Sequence, residues 1–331
     1  MKKFINEIEN VEIEMFEGLS LAHPDVVTRL EDSNVFVRAT KKEGKVALVS
    51  GGGSGHEPAH AGYVGTGMLD AAVPGAVYTS PTPDQVYEAI KAVDSGAGVL
   101  LIIKNYTGDV MNFEMAAELA QADGIEVASV VVNDDVAVED SLYTTGRRGV
   151  AGTVFVHKVA GAKAEEGASL AEVKAVAEKA IANLRTMGAA LKPSTVPAAG
   201  KPGFELGENE MEIGIGIHGE PGTHKEELQQ ADVIVDHLME VILKDMSLDE
   251  GSELAVMING SGATPEMELY IIFRKVYELL EKAGFKVFKT FVGDYMTSID
   301  MAGMSITLFK VDDELKKLVS APAKTIGFTQ V

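Results

Sequence analysis

The first half of the chain alternates short apolar runs with helical patterns. Residues 46–49 and 99–103 are continuous apolar runs, which indicates strands that are covered on both faces of a sheet. Residues 113–120 have a helical period, and residues 127–132 form the next apolar run. This strand–helix–strand order predicts parallel strands that are joined by a right-handed crossover.

The same alternation resumes after an interruption. A capping-box spacing from Ser169 to Glu172 predicts a helix that runs to about Met187. Residues 189–208 are rich in proline and glycine, which marks a boundary or a long connection. Beyond them the pattern predicts strands at 211–217, 254–258, 287–292 and 305–311, and helices at 224–243 and 266–283.

We therefore predict an α/β protein of two domains, with mostly parallel or mixed sheets flanked by helices. A chain of 331 residues exceeds the size at which single hydrophobic cores stop growing. We place an N-terminal α/β domain at 1–188 and a C-terminal α/β domain at 189–331.

Composition narrows the classes of function and location. A net charge of −21 opposes nucleic-acid binding, which needs basic patches to displace counterions. No run approaches the roughly 20 apolar residues of a membrane-spanning helix, and the Met-Lys-Lys start is not followed by the apolar segment of a signal peptide. The chain has no cysteine, which suits a reducing compartment. We expect a cytoplasmic protein without thiolate metal sites.

The most informative segment follows the first buried strand. Residues 51–55 are Gly-Gly-Gly-Ser-Gly, and His56 comes directly after them. We expect a loop here, because glycine leaves backbone N–H groups free to face an anion or a small polar ligand. Histidine is the side chain that exchanges a proton near neutral pH. The segment therefore predicts a site for a small molecule.

Two motifs in the chain resemble known signatures without their structural context. His56-Glu-Pro-Ala-His60 matches the H-E-x-x-H zinc pattern, but Pro58 is incompatible with the helical face that the two histidines would need. The segment from Gly214 to Gly219 matches G-x-G-x-x-G, but its first glycines alternate with isoleucines inside the predicted strand. We interpret this as close backbone packing, and we predict no metal site.

A nucleotide-binding motif is also missing. Neither residues 51–55 nor residues 259–265 are followed by the Gly-Lys-Ser/Thr of a Walker loop. We predict that this chain binds no nucleotide by itself.

His56, Asp109 and His218 lie at the carboxyl ends of separate predicted strands, where open α/β sheets bind ligands. Each also has a structural alternative, since Asp109 is placed to cap a helix and His218 to be a satisfied structural residue. Together they suggest a specific chemistry. A neutral imidazole is a nucleophile, and a carboxylate takes a proton from a hydroxyl. With Lys104 at the tip of its strand, the set suits a short polyhydroxylated carbonyl compound.

Seven segments of the chain are similar to the K subunits of dihydroxyacetone kinases. They are residues 51–58, 79–83, 104–109, 145–149, 216–222, 262–265 and 297–307. The resemblance extends over essentially the whole chain, and its motifs are long.

The resemblance implies roles for individual residues. His218 would hold dihydroxyacetone covalently, through a hemiaminal between a ring nitrogen and the carbonyl carbon. Asp109 would be the base for the hydroxyl that is phosphorylated, and His56 would hydrogen-bond the substrate and assist proton transfer. The remaining contacts to the substrate would come from Gly53, Ser54, Gly55 and Lys104. Glycerol has no carbonyl group, so His218 would not capture it.

The resemblance also implies partners. The chain is too short to include the nucleotide-binding domain that some members of the family carry. It resembles the separate subunit of the phosphotransferase-dependent enzymes, in which an L subunit carries ADP or ATP with Mg²⁺. A third, M subunit recharges that nucleotide with phosphoryl groups that come from phosphoenolpyruvate through HPr. A homodimer is expected. The alternative is a paralogue that senses dihydroxyacetone and partners a transcriptional regulator.

Overall fold

The computed structural model of the protein describes residues 2–139 and 144–331. Its helices are α1 (Val11–Ala22), α2 (Pro83–Val93), α3 (Thr107–Ala122), α4 (Thr153–Glu165), α5 (Leu170–Ala182), α6 (Ala231–Asp245), α7 (Glu266–Lys282) and α8 (Asp313–Ser320). Its strands are β1 (Val27–Arg29), β2 (Phe36–Arg38), β3 (Ala47–Ser54), β4 (Gly65–Thr66), β5 (Ala71–Val77), β6 (Val99–Lys104), β7 (Val127–Val132), β8 (Leu184–Lys192), β9 (Glu210–Ile213), β10 (His224–Glu227), β11 (Glu253–Gly260), β12 (Lys286–Gly293), β13 (Ala302–Val311), β14 (Ala323–Thr325) and β15 (Thr329–Gln330).

Two six-stranded sheets contain most of these strands. The first has the order β1-β2-β5-β3-β6-β7, and its pairs from β5 to β7 are parallel. The second has the order β10-β9-β8-β13-β11-β12 and is antiparallel except for β11 and β12. The predicted α/β class with mixed sheets and flanking helices is confirmed. The predicted division at residue 188 falls within β8 and stays a prediction.

The continuous apolar runs of β3 and β6 arise because both faces of the first sheet are covered. Leu48 and Leu100 belong to a core that also contains residues of α4 and α5. Their neighbours Val49 and Leu101 point to the opposite face, in a core with residues of α2 and α3. Alternate side chains of each strand therefore meet helices on either side, and no polar face remains.

The glycine segment is a strand where we predicted a loop. Strand β3 continues through Gly53 to Ser54, and Gly51, Gly52 and Gly53 pair with Val73, Pro74 and Gly75 of β5. The close approach of neighbouring backbone explains the glycines, since a Cβ on Gly53 would lie 2.6 Å from the backbone nitrogen of Thr79. Pairing with β5 engages backbone groups that we predicted to be free.

Three predicted elements end or begin elsewhere. The capping box of Ser169 and Glu172 is confirmed, but α5 ends at Ala182, and Met187 lies in β8 opposite Ile306. Strand β9 ends at Ile213, four residues before its predicted end. Residues 224–227 form β10, because they pair with β9, so α6 begins only at Ala231. For Met187 and for residues 224–227, strand pairing overrides the local helical pattern.

One continuous core includes residues of both sheets. Leu48 of β3, Met257 of β11 and Phe309 of β13 belong to it, together with side chains of α4 and α8. The end of the chain thus returns to the helices of the first sheet, with Leu315 and Leu318 of α8 buried in this core. No helix in the described part of the chain is long and apolar enough to cross a membrane.

Leu318→Ala should lower the free energy of unfolding by about 2–5 kcal/mol, because it leaves a cavity in the shared core. Lys317→Ala, at the neighbouring and 72% exposed side chain, should change it by less than about 0.5 kcal/mol. Urea unfolding monitored by circular dichroism measures both values. Equal effects of the two substitutions would show that α8 does not depend on this packing.

Candidate active site

A cleft opens at the carboxyl ends of the first sheet, at the edge where α/β sheets bind ligands. Its volume is about 510 Å³. It is lined by Gly53, Tyr78, Ser80, Tyr106, Thr107, Gly108, Asp109 and His218. The cleft therefore brings together Gly53 near the end of β3, residues that follow β5 and β6, and His218, which follows β9.

The ring of His218 lies among other aromatic rings. The ring centroids of His218 and His56 are 4.8 Å apart, with the planes at 80°. The ring of Tyr106 meets His218 edge to face at 4.3 Å, and the ring of Tyr78 does so at 5.5 Å. Tyr78 also stacks on His56 at 5.3 Å. These contacts leave His218 little rotational freedom and keep most of its ring away from water.

The protonation of His56 is fixed by one hydrogen bond. Its Nδ1 lies 2.8 Å from the carbonyl oxygen of Thr297, which only accepts, so Nδ1 carries the hydrogen and donates it. Nε2 then has a free lone pair. That atom is buried and has no hydrogen-bond partner among the described residues. His56 therefore holds a proton acceptor next to His218.

Both imidazoles are neutral at pH 7. Burial lowers the pKa of His218 to about 3, with smaller contributions from the positive charges of Lys104 and Arg148. Burial also lowers the pKa of His56 well below its usual value, and His218 and Lys104 add to the effect. Removing water from an imidazole disfavours its charged form. A neutral ring nitrogen retains the lone pair that a nucleophile needs.

Asp109 is held in place by a hydroxyl and an ammonium group. Ser80 Oγ donates a hydrogen bond to Asp109 Oδ1, and Lys104 Nζ lies 3.3 Å from Oδ2. The N-cap of α3 is Tyr106, so Asp109 lies inside the first turn and is not the cap that we considered as its structural alternative. A carboxylate in the cleft, close to the N-terminus of a helix, is also favoured by the helix dipole.

Lys104 is fully buried behind Asp109, and its side chain does not line the cleft. Its three donor positions are satisfied by the carbonyl of Gly51 at 3.0 Å, by His60 Nε2 at 3.0 Å and by Asp109. Gly52 makes room for the ammonium group, since a Cβ there would collide with Nζ. The geometry gives Lys104 contact with Asp109, while direct binding of a ligand by Lys104 stays a prediction.

Of the three predicted binding residues in the glycine segment, only Gly53 lines the cleft. The Ser54 hydroxyl donates to the carbonyl of Gly75 at 2.6 Å, and the Gly55 N–H donates to Glu57 Oε1 at 3.0 Å. Binding by Ser54 and Gly55 stays a prediction.

Sequence reasoning missed four polar residues of the cleft, namely Tyr78, Ser80, Tyr106 and Thr107. All lie beside or within the motifs at 79–83 and 104–109, in which sequence reasoning assigns roles only to Lys104 and Asp109. Tyr78 has a φ of 57°, an unusual value for a bulky side chain. Its hydroxyl is 2.9 Å from Ser194 Oγ and 2.7 Å from Ser298 Oγ, so contacts from the second half of the chain hold it there.

The two misleading motifs have structural explanations. His60 Nε2 contacts Lys104, and in the described part of the chain no group of histidine and carboxylate side chains could hold a metal ion. The glycines of the segment 214–219 follow β9 and do not open a helix. At Gly216, a Cβ would collide with Glu220 and would lie 2.7 Å from Arg148 Nη1.

The fold and the cleft define a class of protein. It is an α/β protein with a polar cleft that is lined by an imidazole and a carboxylate, with a second imidazole packed against the first. The model of the Dak1 domain family matches residues 17–327. The chain therefore belongs to the Dak1 domain family.

Known relatives cover the chain almost completely. It is 59% identical over 329 residues to the dihydroxyacetone-binding subunit of the PTS-dependent dihydroxyacetone kinase 1 of Listeria innocua, covering 99% of this chain and 100% of the relative. A solved structure of a dihydroxyacetone kinase operon co-activator matches with a TM-score of 0.92 and 38% identity, over 98% of this chain and 99% of the other. The dihydroxyacetone kinase of C. freundii matches with a TM-score of 0.92 and 36% identity, over 99% of this chain and 60% of the other.

His218 should stay neutral when the pH is lowered from about 7.5 to about 5, a range in which a free imidazole with a pKa of about 6.5 becomes protonated. The reason is its burial, which places its pKa at about 3, so protonation begins only well below pH 5. Ring ¹⁵N chemical shifts of histidine-labelled protein, assigned with the His218→Ala variant, measure this directly. A titration midpoint near 6.5 would mean that the ring is open to water.

Proposed function

We propose that this chain is the dihydroxyacetone-binding, catalytic subunit of a phosphoenolpyruvate-dependent dihydroxyacetone kinase, a phosphotransferase. The observation that carries the proposal is the neutral ring of His218 in the same cleft as Asp109. A ketone captured by His218 would have a terminal hydroxyl within reach of a carboxylate. The relative of 59% identity bears the name of such a subunit.

Capture of the substrate conserves atoms and charge. A ring nitrogen of His218 uses its lone pair to bond the carbonyl carbon, and the π electrons of the carbonyl move to oxygen. The imidazole loses its N–H proton and the oxygen gains one, which gives a neutral hemiaminal. His56 Nε2, which has an unused lone pair, would accept and return that proton. Glycerol, without a carbonyl carbon, has nothing for His218 to attack.

Asp109 would then act as the general base on the terminal hydroxyl. Ser80 and Lys104 fix one oxygen each, so the carboxylate is oriented before the substrate arrives. Deprotonation of the hydroxyl as the phosphoryl group is transferred makes it a better nucleophile. Gly53, Ser54, Gly55 and Lys104 would complete the substrate pocket.

The phosphoryl donor would come from other subunits. An L subunit would carry ADP or ATP with Mg²⁺, and an M subunit would recharge it with phosphoryl groups from phosphoenolpyruvate through HPr. The Listeria relative is named as a subunit of a PTS-dependent kinase, and this name supports the proposed organisation. The homodimer, the cytoplasmic location and a role in glycerol metabolism are further parts of the proposal.

A second candidate function is ligand sensing with a transcriptional regulator. It is favoured by the co-activator structure, which has a TM-score of 0.92 to this chain. The identity is 38% there and 59% to the kinase subunit, and sensing alone does not require a base such as Asp109. We therefore favour the kinase.

His218→Ala should abolish the covalent adduct, because it removes the only imidazole among the described residues that line the cleft. Native mass spectrometry of the protein with dihydroxyacetone should show one bound triose in the wild type and none in the variant. His224→Ala, at an exposed histidine, is the control and should bind like the wild type. An adduct that persists in His218→Ala would place the covalent bond elsewhere.

Asp109→Asn should keep the adduct and reduce phosphoryl transfer by about 10²–10⁴-fold, the usual effect of losing a general base. The assay measures dihydroxyacetone phosphate after mixing the chain with dihydroxyacetone and a nucleotide-charged L subunit of proven activity. No product with the wild-type chain would contradict the kinase and favour the sensor. Equal turnover in the variant would contradict the role of Asp109 as base.

A further inference from the structure

One buried arginine contacts the segment that carries His218 on both sides of the histidine. Arg148 Nη2 donates to the carbonyl of Gly214 at 2.7 Å, and Nη1 lies 3.1 Å from Glu220 Oε1. Its Nε donates to Asp135 Oδ2 at 2.7 Å. Arg148 thus contacts the segment on both sides of His218, four residues before it and two after, and Asp135 holds the arginine in place by a hydrogen bond.

Glu220 connects this arginine to His218 itself. While Oε1 accepts from Arg148, the other oxygen, Oε2, accepts the backbone N–H of His218 at 3.1 Å. The carboxylate is 7% exposed and the guanidinium is fully buried. Hydrogen bonds to charged partners are shorter and stronger than neutral ones, and they have definite directions. The backbone at His218 is therefore held by an ion pair that is out of reach of solvent.

The sequence leaves space for the ion pair of Arg148 and Glu220. A Cβ on Gly216 would collide with the Glu220 carboxylate, and it would lie 2.7 Å from Arg148 Nη1. Gly216 faces the ion pair, so this position has no room for a side chain. The second glycine of the G-x-G pattern leaves space for the pair.

Arg148 also has an electrostatic effect on the ring. Its positive charge contributes to the low pKa of His218, after burial and Lys104. The same residue thus holds the backbone of His218 and disfavours protonation of its imidazole.

We propose that Arg148 and Glu220 are positioning residues for His218, which set the direction from which its ring nitrogen attacks a bound ketone. The inference rests on the proposed capture of dihydroxyacetone by His218. Neither side chain is required to touch the substrate, since both act through the backbone of the segment from Gly214 to Glu220.

Glu220→Gln is the sharpest test because it preserves the size of the side chain. A carboxylate accepts at both oxygens, whereas an amide accepts at only one, so the variant loses either the Arg148 contact or the His218 contact. We expect the affinity for dihydroxyacetone in adduct formation to fall about 10- to 100-fold, as is usual for a lost hydrogen bond to a charged group. Titration with dihydroxyacetone, followed by native mass spectrometry, gives the affinity.

Glu212→Gln is the matched control. Glu212 is also buried, and it accepts the Gly222 N–H at 2.7 Å, just beyond the segment from Gly214 to Glu220, without contacting His218. Its adduct affinity should stay within about threefold of the wild type. Equal losses of adduct affinity in the two variants would overturn the proposal, because they would show that the effect does not depend on the contact between Glu220 and His218.

Arg148→Met and the double variant Arg148→Met with Glu220→Gln complete the test. If the two residues act as one unit, the double variant should bind dihydroxyacetone no more weakly than the single variant with the lower affinity. Thermal unfolding identifies variants that fail to fold. If the Arg148 variants fail to fold, Glu220→Gln alone tests the proposal. A wild type without any adduct would refute the proposed function. A wild type with an adduct that Glu220→Gln leaves unchanged would refute only this inference.

Discussion

The site depends on the packing of aromatic rings around the imidazole of His218. The rings of His56, Tyr78 and Tyr106 surround it, and their packing, together with nearby cations, keeps it in the neutral form. A solvent-exposed imidazole would be partly protonated near neutral pH and would then lack its nucleophilic lone pair. The packing therefore keeps a lone pair on the ring, which the proposed capture of a ketone requires.

Two buried cations organise the polar groups around that ring. A buried charge is tolerated only when its hydrogen-bonding positions are satisfied, and both Lys104 and Arg148 meet this condition. Lys104 joins β3, α3 and His60 through its three contacts, and so fixes Asp109. Arg148 joins Asp135 to the segment that carries His218. Glycines at 52 and 216 provide the space for these two cations.

The two sheets contribute differently to the site. The first delivers the end of β3 and the start of α3 to one edge, as expected for parallel strands. Segments that follow or connect strands of the second sheet supply His218, the Thr297 carbonyl that selects the tautomer of His56, and the serines that hold the Tyr78 hydroxyl. Because these segments are far from β3 in the chain, their contacts could not be read from local sequence.

The sequence by itself determined the α/β class, the buried strands, the capping box at Ser169 and the position of His56 just after β3, because these depend on local periodicity and on the general behaviour of sheets. It did not determine the position of His218, which lies beyond the end of β9 in a connecting segment. Only the tertiary structure decided that the glycine segment is a paired strand, that Lys104 is enclosed behind Asp109, and that Tyr78, Ser80 and Tyr106 complete the cleft. Strand pairing, burial and protonation depend on neighbours that are distant in the chain, so a local pattern does not specify them.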